Sequence, residues 1–77
     1  MKTKTRMMIQ GTVRLPDGTQ EILTSWFDYT TMLGQRRALK QHRKWIQLDA
    51  DRRFPGWEQI DWHYTNLNLP ALIRYMR

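Results

Sequence analysis

The sequence of 77 residues contains no cysteine. Disulfides, thiolate zinc sites and cysteine nucleophiles are therefore excluded. The only two histidines, His42 and His63, lie far apart in the chain, and neither has a second ligand at a metal-binding spacing such as His-x-x-x-His. We expect no metal site.

Motifs of catalysis are also lacking. No glycine-rich phosphate loop occurs, Ser25 does not stand in a Gly-x-Ser-x-Gly context, and the seven acidic residues form no recognisable catalytic pattern. A domain of this size also has little volume for a closed pocket. We predict a protein that is not an enzyme and needs no cofactor.

Long hydrophobic runs are absent as well. After the basic N-terminus only Met7, Met8 and Ile9 precede Gln10, far short of a signal peptide's apolar region. Nothing approaches the roughly 20 apolar residues of a membrane span. We expect a cytoplasmic protein with one small domain over residues 1–77, of which residues 1–5 are flexible.

Two strands are predicted near the N-terminus. Residues 6–15 alternate, with Met7, Ile9, Val13 and Leu15 on one face. Residues 16–19, Pro-Asp-Gly-Thr, have the composition of a turn, and residues 20–27 form a second strand. Gly11 falls on the apolar face, where it either marks a bulge or leaves room for a large neighbouring ring.

The register of this hairpin follows from keeping apolar faces together. A two- or four-residue turn sets Val13 opposite Ile22 and Ile9 opposite Trp26, which leaves Leu23 and Phe27 on the other face. A three-residue turn would instead set Val13 opposite Glu21. We therefore predict the first register, with Trp26 packed in the core.

A long helix is predicted over residues 30–48, with Asp28 or Thr30 as its N-cap. At about 100° per residue its apolar sector holds Met32, Ala38, Leu39, Trp45 and Ile46. Residues 49–56, which end in Pro-Gly, are predicted to form a loop. Residues 57–65 alternate again, with Ile60, Trp62 and Tyr64 on one face of a third strand.

The C-terminus has the pattern of a short helix. Asn68 can cap it, Pro70 suits its first turn, and four apolar residues follow helical spacing: Leu69, Leu72, Ile73 and Met76. The same four residues could join two copies in a homodimer. The fold class is α+β in the order β-β-α-β-(α), a mainly antiparallel three-stranded sheet with one long helix on one face.

The chain has an excess of positive charge. Its 13 Lys and Arg against 7 Asp and Glu give a net charge of +6. Five basic residues share a sector of roughly 120° on the long helix, away from its apolar face. We call them the basic stripe: Arg36, Arg37, Lys40, Arg43 and Lys44. No acidic residue interrupts it, and Arg36, Lys40 and Lys44 stand at the i,i+4 spacing where like charges repel.

Three interpretations of the basic stripe remain open. It is ordinary solvated surface, in part neutralised by Asp49, Asp51 or Glu21, or it binds the backbone of DNA or RNA, or it binds an acidic protein surface. A second candidate is an interface loop with Arg52, Arg53, Phe54 and Trp57, since exposed aromatic and arginine side chains often anchor protein interfaces.

The functional hypothesis from these features is a small regulatory protein that contacts nucleic acid through the basic stripe. The alternative is an inhibitor or adaptor that docks on an acidic partner protein. In its small size, basic charge, lack of cysteine and four tryptophans, the chain resembles accessory proteins of phages and other mobile elements. The β-β-α-β order is shared by unrelated proteins and does not choose between the two functions.

Overall fold

The computed structural model describes residues 4–68, which form three strands and one helix. In chain order these are β1 (Thr5–Arg14), β2 (Gln20–Tyr29), α1 (Met32–Arg53) and β3 (Gln59–Asn68). The sheet is antiparallel with the order β2-β1-β3, and α1 lies on one of its faces. The predicted α+β class is confirmed. The predicted C-terminal helix and the four apolar residues offered for a homodimer lie outside the described residues.

The central strand is β1, whose alternation was predicted correctly. Met7, Ile9 and Val13 are buried on the face that α1 covers. On β3, Ile60 pairs with Val13 and Tyr64 with Ile9, so the predicted shared face of Ile60, Trp62 and Tyr64 is confirmed. The strand begins at Gln59 rather than at Trp57 because Trp57 belongs to the loop that packs against the core.

The predicted register of the hairpin is wrong. In the structure Val13 pairs with Glu21 and Ile9 with Ser25, the register of the three-residue turn. The Leu15 N–H donates to the Thr19 carbonyl at 2.9 Å, which leaves three residues in the loop. Gly18 has φ +90°, the left-handed conformation that closes such a loop after a type I turn. Turn geometry therefore decided the register over hydrophobic matching.

This register exchanges the two faces of β2. Leu23 is buried and Phe27 half-buried on the helix side, whereas Ile22 is 61% and Trp26 49% exposed on the opposite side. The prediction that Trp26 packs in the core and that Leu23 and Phe27 face away from it is therefore wrong. We call the side opposite α1 the open sheet face, because no described element covers it.

The helix begins at Met32, and its N-cap is Thr31 rather than Asp28 or Thr30. The Thr31 hydroxyl accepts a hydrogen bond from the Gly34 N–H at 3.0 Å, as N-cap side chains do. Asp28 is unable to serve as the cap because it lies in β2, where it is paired with Arg6 on β1.

The helix also continues past Leu48, so the predicted loop over residues 49–53 is wrong. Asp49 forms ion pairs within the helix with Arg52 and Arg53, at 2.9 and 3.3 Å, and Ala50 is completely buried. The helix ends at Arg53 because the next residue, Phe54, precedes a proline and leaves the helical conformation. Twenty-two helical residues span about 33 Å, which matches the roughly 34 Å of a ten-residue strand.

The core is a single layer between α1 and the sheet. Its buried residues are Ile9, Val13, Leu23, Ile46 and Ala50, with Gly11 beneath Ile46. The helix packs mainly against β2 and β1. Met32 and Trp45 were predicted to be part of the buried face of the helix, but both are exposed. A single helix on a narrow three-stranded sheet buries only the side chains that point directly at the sheet.

Candidate functional site

The basic stripe lies along α1 on the side away from β2. All five of its residues are exposed. With Ile46 pointing into the core, helical geometry places Arg43 at the flank that faces β3 and Arg37 on the outer surface. The stripe therefore extends from the flank of α1 that faces the sheet to the helix surface that points away from the sheet.

All seven acidic residues of the chain lie within residues 4–68, so the structure describes each of them. In this part of the protein none forms an ion pair with the basic stripe. Asp49 and Asp51, two of the three expected neutralising groups, bind other partners: Arg52 and Arg53 for Asp49, the indole N–H of Trp57 for Asp51. Glu21, the third, lies on β2 opposite Val13.

Two carboxyl groups, those of Asp49 and Asp28, have a pKa that is lowered by a hydrogen bond from an arginine. The hydrogen bond from Arg52 lowers the pKa of Asp49, with a smaller contribution from Arg53. The hydrogen bond from Arg6 lowers the pKa of Asp28. Both carboxylates are thus engaged with other arginines and do not neutralise the basic stripe.

Arg43 differs from the other members of the stripe. Its guanidinium lies over the indole of Trp62 on β3, 5.1 Å from the ring centroid, a distance that permits a cation–π interaction. This contact fixes the flank of the stripe against the sheet. Arg43 therefore has a structural role in addition to its charge.

The four residues of the predicted interface loop lie at the other end of the helix. Arg52 and Arg53 occupy its last turn, while Phe54 and Trp57 are half-buried and pack against the core. The indole N–H of Trp57 donates to Asp51 at 2.8 Å. Both rings thus take part in closing the protein's own core at this end.

A contact between Ser25 and His42 was not foreseen from the sequence. The two side chains share a hydrogen bond between Ser25 Oγ and His42 Nδ1. The imidazole also packs against Phe27, 5.0 Å between centroids, and against Trp45 at 4.7 Å. Burial lowers the pKa of His42. The pair links α1 to β2, and only the correct hairpin register would have brought Ser25 onto the helix side.

Neither a search for other kinds of site nor a comparison with known proteins assigns a function. Within residues 4–68 no three His, Asp or Glu side chains are grouped so that they could hold a metal ion. The one helix of that region is too polar to cross a membrane. Comparison with known proteins finds no matching family model, no similar curated protein and no similar solved structure.

Proposed function

We propose that the protein is a small regulatory protein without catalytic activity that binds the phosphate backbone of nucleic acid through the basic stripe. One observation carries this proposal. The five cations of the stripe are exposed, and among the described residues, which include every acidic residue of the chain, none has an ion-pair partner.

Such an arrangement is costly without a partner. Arg36, Lys40 and Lys44 stand four residues apart on the helix, and each like-charged pair at that spacing destabilises a helix by about 0.2–0.5 kcal/mol. Phosphates bound along the stripe would remove this repulsion and release counterions from the nucleic acid. Arg36 and Arg37 can also bind phosphate oxygens bidentately, which lysine cannot do.

The alternative function is an inhibitor or adaptor that docks on an acidic surface of another protein. The same cations attract carboxylates, and on the open sheet face the exposed Trp26 and Ile22 offer apolar area for a protein partner. We prefer nucleic acid because five cations in an unbroken sector match the continuous negative charge of a phosphate backbone better than the mixed charge of a protein surface.

The test compares two charge-reversal variants by fluorescence anisotropy with labelled DNA and RNA oligonucleotides at low salt. The first, Arg36→Glu with Lys40→Glu, lies on the basic stripe. The second, Arg14→Glu with Lys4→Glu, makes the same two substitutions elsewhere. Each substitution lowers the charge by two, so both variants have a net charge of +2 instead of +6. Arg43 is left unchanged because it packs on Trp62.

We expect the stripe variant to lose at least about 10-fold in affinity and the control variant to lose much less, because only the first removes phosphate contacts. Equal losses would mean that net charge alone, and not the stripe, attracts nucleic acid. Polyglutamate serves as a carboxylate competitor. If it displaced the oligonucleotide at equal charge concentration, the stripe would lack preference for phosphate and the alternative function would be favoured.

A further inference from the structure

Beside the basic stripe, the helix side of β3 is only partly covered. Because α1 packs mainly over β2 and β1, the rings of Trp62 and Tyr64 on that side are not fully buried, although Trp62 also packs against the core. Trp62 is half-buried under Arg43, and Tyr64 is 42% exposed. We call this strip the trough, with Trp62 and Tyr64 as its floor and the flank of the stripe as its wall.

The cations and the rings run side by side along the trough. The chain leaves α1 through a short loop into β3, so the helix and the strand are antiparallel. From the contact between Arg43 and Trp62, Arg36 lies about 10 Å further along the wall. Tyr64 lies about 7 Å further along the floor in the same direction. Positive charge and an accessible aromatic ring are therefore adjacent.

We propose that the trough binds single-stranded nucleic acid, with backbone phosphates on Arg36 and Lys40 and a base stacked on Tyr64. This inference rests on the proposed function and names the form of nucleic acid that the same site prefers. In a single strand the base faces are accessible to aromatic side chains, and stacking adds to the electrostatic attraction without requiring a particular sequence. In a duplex both faces of each internal base are already stacked, so Tyr64 would add nothing.

The experiment measures binding of the full chain to a labelled single-stranded oligonucleotide and to a duplex of the same length. Tyr64→Ala removes the ring, while Tyr64→Phe keeps the ring and loses the hydroxyl group. Trp26→Ala is the matched control, because it removes an aromatic side chain of similar exposure from the open sheet face. Thermal unfolding of each variant, followed by circular dichroism, verifies that it is folded at the temperature of the assay.

We expect the wild type to bind the single strand more tightly than the duplex. Tyr64→Ala should weaken single-strand binding by on the order of 5- to 150-fold, the measured range for loss of one stacked base, and leave duplex binding unchanged. Tyr64→Phe and Trp26→Ala should bind the single strand like the wild type.

Two results would overturn this inference and leave the proposed function intact. One is equal affinity of wild type and Tyr64→Ala for the single strand, and the other is an equal loss for single strand and duplex. In both cases binding would still depend on Arg36 and Lys40. If neither nucleic acid bound at low salt, the proposed function itself would fail, and the inference with it.

Discussion

Replacing Gly11 by alanine tests where α1 lies on the sheet. Gly11 is in the middle of β1, opposite Leu23 on one side and Trp62 on the other. A Cβ atom at this position would lie 3.0 Å from Ile46 Cγ2, 3.0 Å from Ile60 Cγ2 and 3.2 Å from Trp62 Cζ3. Carbon atoms pack best at about 3.5–4.0 Å, so the added methyl group overlaps three side chains at once.

The expected loss of stability follows from these distances. The Cγ2 atoms of Ile46 and Ile60 are attached to Cβ, and β-branched side chains are restricted at χ1, so these atoms yield mainly through a shift of α1 or β3. Overpacking of this kind costs about 1–3 kcal/mol, while the lower entropy of the unfolded chain returns about 0.4–1 kcal/mol. We therefore expect Gly11→Ala to lower the free energy of unfolding by about 1–2 kcal/mol, a fall in Tm of roughly 4–16 °C for a domain of this size.

Urea unfolding followed by tryptophan fluorescence measures this change, with an unaltered m-value as the sign that the unfolded state is unaffected. A second variant localises the clash. Ile46→Leu moves the branch away from Cβ and removes the Cγ2 methyl group. In that background Gly11→Ala should cost at least about 0.5 kcal/mol less, as expected for residues in contact. If Gly11→Ala left the stability unchanged, α1 would not press Ile46 onto β1, and the described packing would be wrong.

Two further predictions concern the N-cap of the helix and the histidine that links the helix to β2. Thr31→Ala should lower the free energy of unfolding by about 1 kcal/mol because the Gly34 N–H loses its partner, whereas Thr31→Ser and Thr30→Ala should cost less in the same urea assay. His42 has a lowered pKa, so as the pH falls from about 6.5 to about 5, above the range where the carboxyl groups titrate, the unfolded chain binds more protons than the folded one, and stability should fall. In urea titrations across this window His42→Gln should abolish the fall and His63→Gln should retain it; a fall that persists in His42→Gln would contradict the assignment.

Patterns that depend on one element were predictable from the sequence. The alternation of β1 and β3 and the separation of charge along α1 follow from geometry of a single strand or helix, so the basic stripe could be located before the fold was seen. The same patterns could not identify which side of α1 meets the sheet edge. Arg43 is exposed like the other members of the stripe, but its contact with Trp62 joins two elements that are distant in sequence, and no pattern within one element predicts it.

Features that depend on how elements meet were predicted poorly. The register of the hairpin is fixed by Gly18 and the three-residue turn, which outweigh the pairing of Val13 with Ile22. Because the predicted register is wrong, the prediction for Trp26 is wrong too: it places the ring in the core, whereas the ring lies on the open sheet face. The sequence predicts a helix end after Leu48, but Asp49 forms ion pairs with Arg52 and Arg53 within the helix and extends it to Arg53.

The salt dependence of binding tests the central proposal most directly. The association constant for a single-stranded oligonucleotide, plotted logarithmically against salt, should have a slope of about −0.7 per phosphate contact, or at most about −3.5 for the five cations of the basic stripe. Lys44→Gln should reduce the magnitude of the slope by about 0.7, while Lys4→Gln, which removes the same charge beside Asp28, should leave it unchanged. A slope near zero, or equal effects of Lys44→Gln and Lys4→Gln, would contradict a nucleic-acid site on this helix.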